Sequence, residues 1–138
     1  MTPEELAENF AFLDDWEERY AYIIDLGRKL APMDPSDRVD ENLVPGCLSQ
    51  VWLTSRVEDG TAGPTMRFSA DSDAHITKGL VAIALMLFDG KSPQAVVDTD
   101  LDGFFERLDL GAHVSVNRRN GFYSMIGKIR EAGRQHAG

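Results

Sequence analysis

The sequence predicts an α+β fold: N-terminal helices, a small antiparallel sheet, and C-terminal helices covering one side of it. Three observations carry this. Apolar residues recur at helical spacing from Leu6 to Leu30. Two runs of period two lie between Val51 and Ala70. Helical spacing then returns from Ala74 onward. At 138 residues the chain fits one domain, residues 1–138, and its 43% hydrophobic and 27% charged residues suit a single packed core.

Thr2-Pro3-Glu4-Glu5 reads as a helix start, with a capping hydroxyl, proline in the first turn and an acid three residues past the cap. Leu6, Phe10 and Leu13 are its inward face. A second helix begins near Asp14 or Asp15, with Trp16, Tyr20, Ile23, Gly27 and Leu30 on one stripe and Pro32 as its stop. A glycine within that stripe predicts close approach of another backbone. Residues 31–47 hold Pro32, Pro35, Pro45 and Gly46 among acids. They form a long irregular connection, a kind of segment that tends to be functional in compact domains.

Val51, Leu53, Ser55 and Val57 alternate with Trp52, Thr54 and Arg56. After a turn-rich stretch from Glu58 to Pro64, Met66, Phe68 and Ala70 alternate with Arg67 and Ser69. The two runs read as an antiparallel hairpin. His113 to Val116 is the candidate for a third strand. Asp71-Ser72-Asp73 offers caps for a nearly all-apolar, central helix from Ala74 to Phe88, and Asp89-Gly90 ends it. Ser92-Pro93 starts a short helix, and Asp100 starts another carrying Phe104, Phe105 and Leu108. The last, from Arg118 to Gln135, buries Phe122, Met125, Ile126 and Ile129. Trp16, Trp52, Phe68, Phe104 and Phe122 are expected in the core.

A net charge of −9 argues against a nucleic-acid binder, and the longest apolar run, Gly79 to Phe88, is too short to span a bilayer. The acidic opening residues do not suit a secretory or transit segment, so a cytoplasmic location is expected. Acids concentrate in residues 1–45 and bases from Asn117 onward. Two ends facing each other with complementary charge is the favoured reading, ahead of a polyanion site. One cysteine allows neither an intrachain disulfide nor an all-cysteine metal site, and His75, His113 and His136 stand too far apart to form a ligand cluster. No metal site is expected. His75 and His136 are read as surface residues.

The sharpest feature is Val44-Pro45-Gly46-Cys47-Leu48-Ser49-Gln50-Val51-Trp52. Proline fixes one backbone angle and glycine permits unusual ones, so the pair can project Cys47 from a defined tip. The thiolate is the attacking species in sulfur transfer. A lone cysteine also serves as a small buried hydrophobe, and local pattern alone favours that reading. Val44, Leu48 and Val51 are expected to form a shallow pocket that shields the sulfur.

Asn42 to Leu53 (NLVPGCLSQVWL), Ala70-Asp71-Ser72-Asp73-Ala74 and Lys78-Gly79-Leu80 together resemble the SufE/CsdE family of sulfur acceptors. Trp16, Arg19-Tyr20 and Leu26-Gly27 match as well, and Ser92-Pro93, His113, Arg118 and Gly121 fall in the family's order. The resemblance covers essentially the whole chain. It implies the SufE/NifU (IscU-like) fold and makes Cys47 the persulfide carrier. The implied donor is a pyridoxal-phosphate (PLP) cysteine desulfurase of the SufS/CsdA kind, which the carrier also stimulates. A downstream iron–sulfur scaffold is the implied recipient. No resident cofactor is implied beyond the transient persulfide, and the protein would be a sulfur-transfer accessory rather than a stand-alone enzyme. One local departure is His113-Val114-Ser115-Val116-Asn117, where relatives often place a proline ahead of the arginine segment.

Arg118 and His113 are the further candidates for the chemistry, since a nearby cation favours a thiolate or persulfide. Each also has a plain structural reading: a surface residue in a helix's first turn for Arg118, a satisfied histidine for His113. An arginine in a first turn opposes the helix dipole, which predicts some other partner holding it. Asp71 and Asp73 read first as caps, and the resemblance places them, with Pro45 and Gly46, at the desulfurase contact. Lys78 is a surface charge or a partner of those acids. Two alternatives remain. A stand-alone cysteine enzyme would need a base, for which His113 is the one candidate. An iron–sulfur scaffold would need about three or four ligands, normally thiolates, where the chain has one.

Overall fold

The computed structural model describes residues 2–44, 50–110 and 116–137, without the side chains of residues 102 and 116–119. The elements run α1 (Pro3–Phe12), α2 (Trp16–Arg28), β1 (Val51–Gly60), β2 (Gly63–Ser72), α3 (His75–Phe88), α4 (Pro93–Asp98), α5 (Leu101–Arg107) and α6 (Val116–His136). This is the α+β order expected from the sequence. Thr2 caps α1, its hydroxyl accepting from the Glu5 amide at 3.2 Å; Asp15 caps α2, accepting from Glu18 at 2.8 Å. Ser92 and Asp100 cap α4 and α5 in the same way.

Two α-helices meet backbone to backbone because the sequence puts glycine on both. A Cβ at Gly27 of α2 would lie 2.8 Å from the Gly79 amide nitrogen of α3, and one at Gly79 would collide with the carbonyl oxygen and Cγ2 of Ile23. The close approach predicted from Gly27 is this crossing. It lets Ile23 and Leu80 bury almost fully. α3 is the central helix, with Leu80, Val81, Ile83, Ala84, Leu87 and Phe88 all buried, and it packs on β2 and α6 as well as α2. Phe104, Phe105 and Leu108 of the α5 region and Phe122, Met125, Ile126 and Ile129 of α6 close the core, as their spacing predicted. Phe68 joins them, whereas Trp16 and Trp52 are half-buried.

β1 and β2 pair antiparallel from Val51↔Ser72 to Gly60↔Gly63. The hairpin turns through Thr61 and Ala62 alone, so the loop is far shorter than the stretch from Glu58 to Pro64 suggested. Gly60 and Gly63 absorb the reversal, Gly63 at a φ of 115° that a side chain would resist. The exposed strand ends are polar because they face water, which made them read as turn. One face of the ladder is apolar, with Met66 opposite Val57 and Ala70 opposite Leu53; the other carries Thr54, Arg56, Arg67 and Ser69.

Among the described residues the sheet has two strands, and each outer edge is paired over a short stretch. On the β1 side Leu43 bridges to Trp52, and the Val44 amide donates to the Val51 carbonyl at 2.8 Å. On the β2 side the Met66 amide donates to the Lys91 carbonyl and the Gly90 amide to the Met66 carbonyl, each at 2.7 Å. Edge groups so paired do not recruit other strands. The third-strand candidate, His113 to Val116, falls on residues 113–115, outside the described set, and on Val116, which begins α6. The strand-like partner of β1 is instead Leu43-Val44. No helix among the described residues is long and apolar enough to cross a membrane. The expected pairing of the acidic N-terminal part with the basic last helix finds no ion pair among the described residues. There α6 packs mainly on α4, with lesser contacts to α3 and β1.

The two glycines of contrasting surroundings separate close packing from backbone freedom. Gly79→Ala should destabilise the protein by about 3 kcal/mol, at the upper end of overpacking costs. Gly127 of α6 has nothing within 4 Å of an added Cβ, so Gly127→Ala should stabilise it by about 0.5–1 kcal/mol. Urea unfolding of the two variants against wild type measures both.

Candidate functional site

Cys47, Pro45, Gly46 and His113 lie outside the described residues; of Arg118 only the backbone is described, in the first turn of α6. What the structure gives is the frame on either side of the cysteine. The chain leaves the sheet at Val44, bonded to Val51, and returns at Gln50. The Gln50 amide donates to Asp73 Oδ1 at 3.0 Å, and the Asp73 amide donates to the Gln50 carbonyl at 3.2 Å. Gln50 and Asp73 thus hold each other just beyond the last ladder pair, Val51↔Ser72. Both ends of the short segment holding Cys47 are pinned to one end of the hairpin. Val44 and Val51, two of the three residues expected beneath the thiol, are buried at 4% and 3% exposure; Leu48 is outside the described residues.

Asp71 occupies the neighbouring position. It is 3% exposed, sits opposite Trp52, and its carboxylate is enclosed by donors. Oδ1 accepts from the Ser72 amide at 2.8 Å and pairs with Lys78 Nζ at 3.2 Å; Oδ2 pairs with the Arg38 guanidinium at 2.5 Å. Burying a carboxylate is costly unless charge and lone pairs are both met, and here they are. Neither Asp71 nor Asp73 caps α3. The hydroxyl of Ser72 accepts from the Ala74 amide at 3.2 Å, and the helix N-cap itself, Ala74, offers no side-chain acceptor. The capping reading of the two acids is corrected accordingly: competing donors from Lys78, Arg38 and Gln50 claim them. Lys78 is the partner of an acid, as one of its two readings had it. Asp71 faces inward and its oxygens are taken, while Asp73 is exposed at the rim. His75 and His136 are exposed, as expected.

Sequence reasoning passed over Arg38. Its signal was present: it is the only base between Lys29 and Arg56, in a stretch dense in acids. A lone cation there points to a specific carboxylate. Nearby, Asp34 Oδ1 accepts from the Ser36 amide at 3.0 Å and its hydroxyl at 2.9 Å. These bonds hold the Asp34 carboxyl below its usual value. The stabilisation exists above the unfolded pKa and is lost as pH falls through the folded one. Alongside lies an open groove of about 840 Å³ between the end of α2, the strands and α3, with Asp34, Arg56, Arg67 and Asp89 among its walls. Arg56 and Arg67 stand directly opposite each other, and each is balanced by its own acid, Glu58 at 2.7 Å and Asp89 at 3.3 Å.

Residues 4–133 match the family model of SufE, the Fe–S metabolism associated domain. The chain belongs to the SufE family. An uncharacterized SufE-like protein of Rhizobium meliloti is 42% identical over 127 residues, covering 92% of this chain and 91% of that one. Another from Rhizobium etli is 41% identical over 134 residues, covering 97% and 90%. The solution structure of a hypothetical protein from Thermus thermophilus superposes with a TM-score of 0.76 at 22% identity, over 99% of this chain and 98% of that chain. This last likeness shows a shared fold. The SufE family assignment agrees with the helix–hairpin–helix order and ties the chain to Fe–S metabolism.

The two acids of the Asp71-Ser72-Asp73 run should separate in their effects. Asp71→Ala removes the common partner of two cations, and the loss should be about 2 kcal/mol, moderated because Arg38 and Lys78 stay partly solvated. Asp73→Ala should cost about 1 kcal/mol or less and accelerate hydrogen exchange at the Gln50 amide. Denaturant unfolding with amide exchange by NMR reads both.

Proposed function

We propose that this SufE-family chain accepts sulfur from a PLP-dependent cysteine desulfurase on Cys47, stimulates that enzyme, and relays the sulfur to iron–sulfur cluster assembly in the cytoplasm. The observation that carries the reading is the position of the sole cysteine. Cys47 lies in the sequence between Val44 and Gln50, which are hydrogen-bonded to the same end of the hairpin. A carrier needs its thiol to reach another protein's active site from a defined base, and this frame supplies the base.

The transfer is an exchange without net oxidation. Cys47 thiolate attacks the terminal sulfur of the donor's cysteine persulfide, a new S–S bond forms on Cys47, the donor's S–S bond breaks, and the donor cysteine leaves as thiolate. Clearing the persulfide frees the donor for another turnover. The carrier needs no resident cofactor for this step. Its downstream partner is an iron–sulfur scaffold, to which the same exchange would pass the sulfur. Arg118 and His113 are proposed to favour the thiolate electrostatically, and exposed Asp73 with Pro45 and Gly46 to meet the desulfurase. Asp71 would influence that contact from inside, through Arg38 and Lys78.

Incubation with a cognate desulfurase and cysteine, without reductant, should add one sulfur to Cys47, an intact-mass gain of about 32 Da. Cys47→Ala should show no gain and no stimulation of sulfide release. Full stimulation by that variant would refute the carrier role, and a cluster chromophore on purified protein would favour a scaffold instead.

Arg118 should tune the reaction and not be indispensable to it. Arg118→Ala should reduce stimulation by an amount equivalent to about 1–2 kcal/mol, more at low salt than at high, with Arg118→Lys in between. Desulfurase assays across a salt series test this, and equal rates in all three proteins would return Arg118 to a surface role.

A further inference from the structure

Residues 31–44 cross from the end of α2 to the segment that holds Cys47. Met33 and Val44, near its two ends, are buried at 2% and 4% exposure. Between them are single 3₁₀ turns, Pro35–Asp37 and Asp40–Asn42, whose side-chain bonds are local: Ser36 to Asp34, and Asn42 Nδ2 to the Asp37 carbonyl at 2.8 Å. Arg38 lies between the turns and pairs with the buried Asp71.

The register gives this ion pair its meaning. Asp71 is paired across the ladder with Trp52, and Trp52 is bridged by Leu43. Arg38 and Leu43 therefore grip the two members of one cross-strand pair, and the chain is held to the sheet at both ends of this short stretch. The carboxylate that Arg38 holds is also compensated by Lys78 at 3.2 Å and the Ser72 amide at 2.8 Å. Without Arg38, Asp71 Oδ1 would still meet Lys78 and the Ser72 amide, so the anchor is separable from the fold.

We propose that Arg38 is a positioning residue for sulfur transfer: its pairing with Asp71 fixes the departure point of the segment that carries Cys47. This rests on the sulfur-acceptor reading above. Without the anchor, residues 38–44 sample more arrangements, only a fraction of them suited to docking. The apparent affinity for the desulfurase falls by that fraction, while the chemistry, once docked, is kept.

The test compares wild type, Arg38→Ala and Arg38→Lys by thermal unfolding, by the rate at which free protein reacts with 5,5′-dithiobis(2-nitrobenzoate), and by desulfurase stimulation against carrier concentration. Arg38→Ala should label about threefold faster or more and raise the half-saturating concentration by a similar factor, with maximal stimulation held within about twofold. Arg38→Lys should return both part-way. A lowered melting temperature with unchanged labelling and half-saturation would overturn the proposal, as would loss of maximal stimulation alone. Should Arg38→Ala fail to fold, Arg38→Lys is held to the same two readouts. Cys47→Ala distinguishes the premises: wild-type stimulation by it refutes the acceptor reading, while the labelling comparison still decides what Arg38 does to the Cys47 segment.

Discussion

A carboxylate taken out of water must be compensated on all sides, and in this protein that requirement falls on Asp71. Its donors come from three places in the chain: Arg38 before the sheet, Ser72 beside it, and Lys78 in the helix that follows. Satisfying one buried charge thus draws the irregular connection, the end of the hairpin and the start of α3 to one point. The same buried position is exacting, because losing all of these donors would leave the carboxylate uncompensated in a poorly solvating place, while the loss of one leaves the other two in contact. The Trp52–Asp71 end of the hairpin is buried and tied by charge, whereas the opposite end, at Gly60 and Gly63, is solvated and polar.

Packing makes that electrostatic point possible. The Gly27–Gly79 crossing brings α2 and α3 into backbone contact, which places Lys78, one residue before the crossing, beside Asp71. The sheet has only two strands among the described residues, and a bare hairpin of that kind would be marginal in water. It is held because α3 lies along β2 and because Leu43-Val44 and Gly90-Lys91 cap its two edges. Asp89 adds to the second edge by accepting from the Phe68 amide at 2.8 Å while it pairs with Arg67. The connection between α2 and β1 therefore doubles as an edge pairing of the sheet through Leu43-Val44.

Under the proposed carrier role, this arrangement would answer two opposed demands. The thiol has to be delivered into another protein, which favours a short protruding segment, yet docking is weakened by every conformation that does not fit. Val44 is bonded to Val51 and Gln50 to Asp73, so the two described residues that flank this stretch are tied to the same end of the hairpin.

The sequence by itself determined the elements and the family. Caps at Thr2, Asp15, Ser92 and Asp100, the stripes of α2 and α6, and the alternation around Trp52 and Phe68 are local signals, set by hydrogen bonds and periodicity within a few residues. The motif around Cys47 was legible for the same reason. Gly27 even announced a crossing, because a glycine in an apolar stripe has no other purpose so economical. Tertiary structure alone decided what those signals meet: that Gly79 is the partner of Gly27, that Leu43-Val44 supplies the third pairing of the sheet, that the hairpin turns through Thr61 and Ala62, and that Asp71 is a buried junction and not a cap. Each depends on residues far apart in the chain competing for the same groups. Asp71 can bond a helix amide next door or a guanidinium thirty-three positions away, and only the folded chain, with Arg38 and Lys78 both in reach, makes the distant choice the stable one.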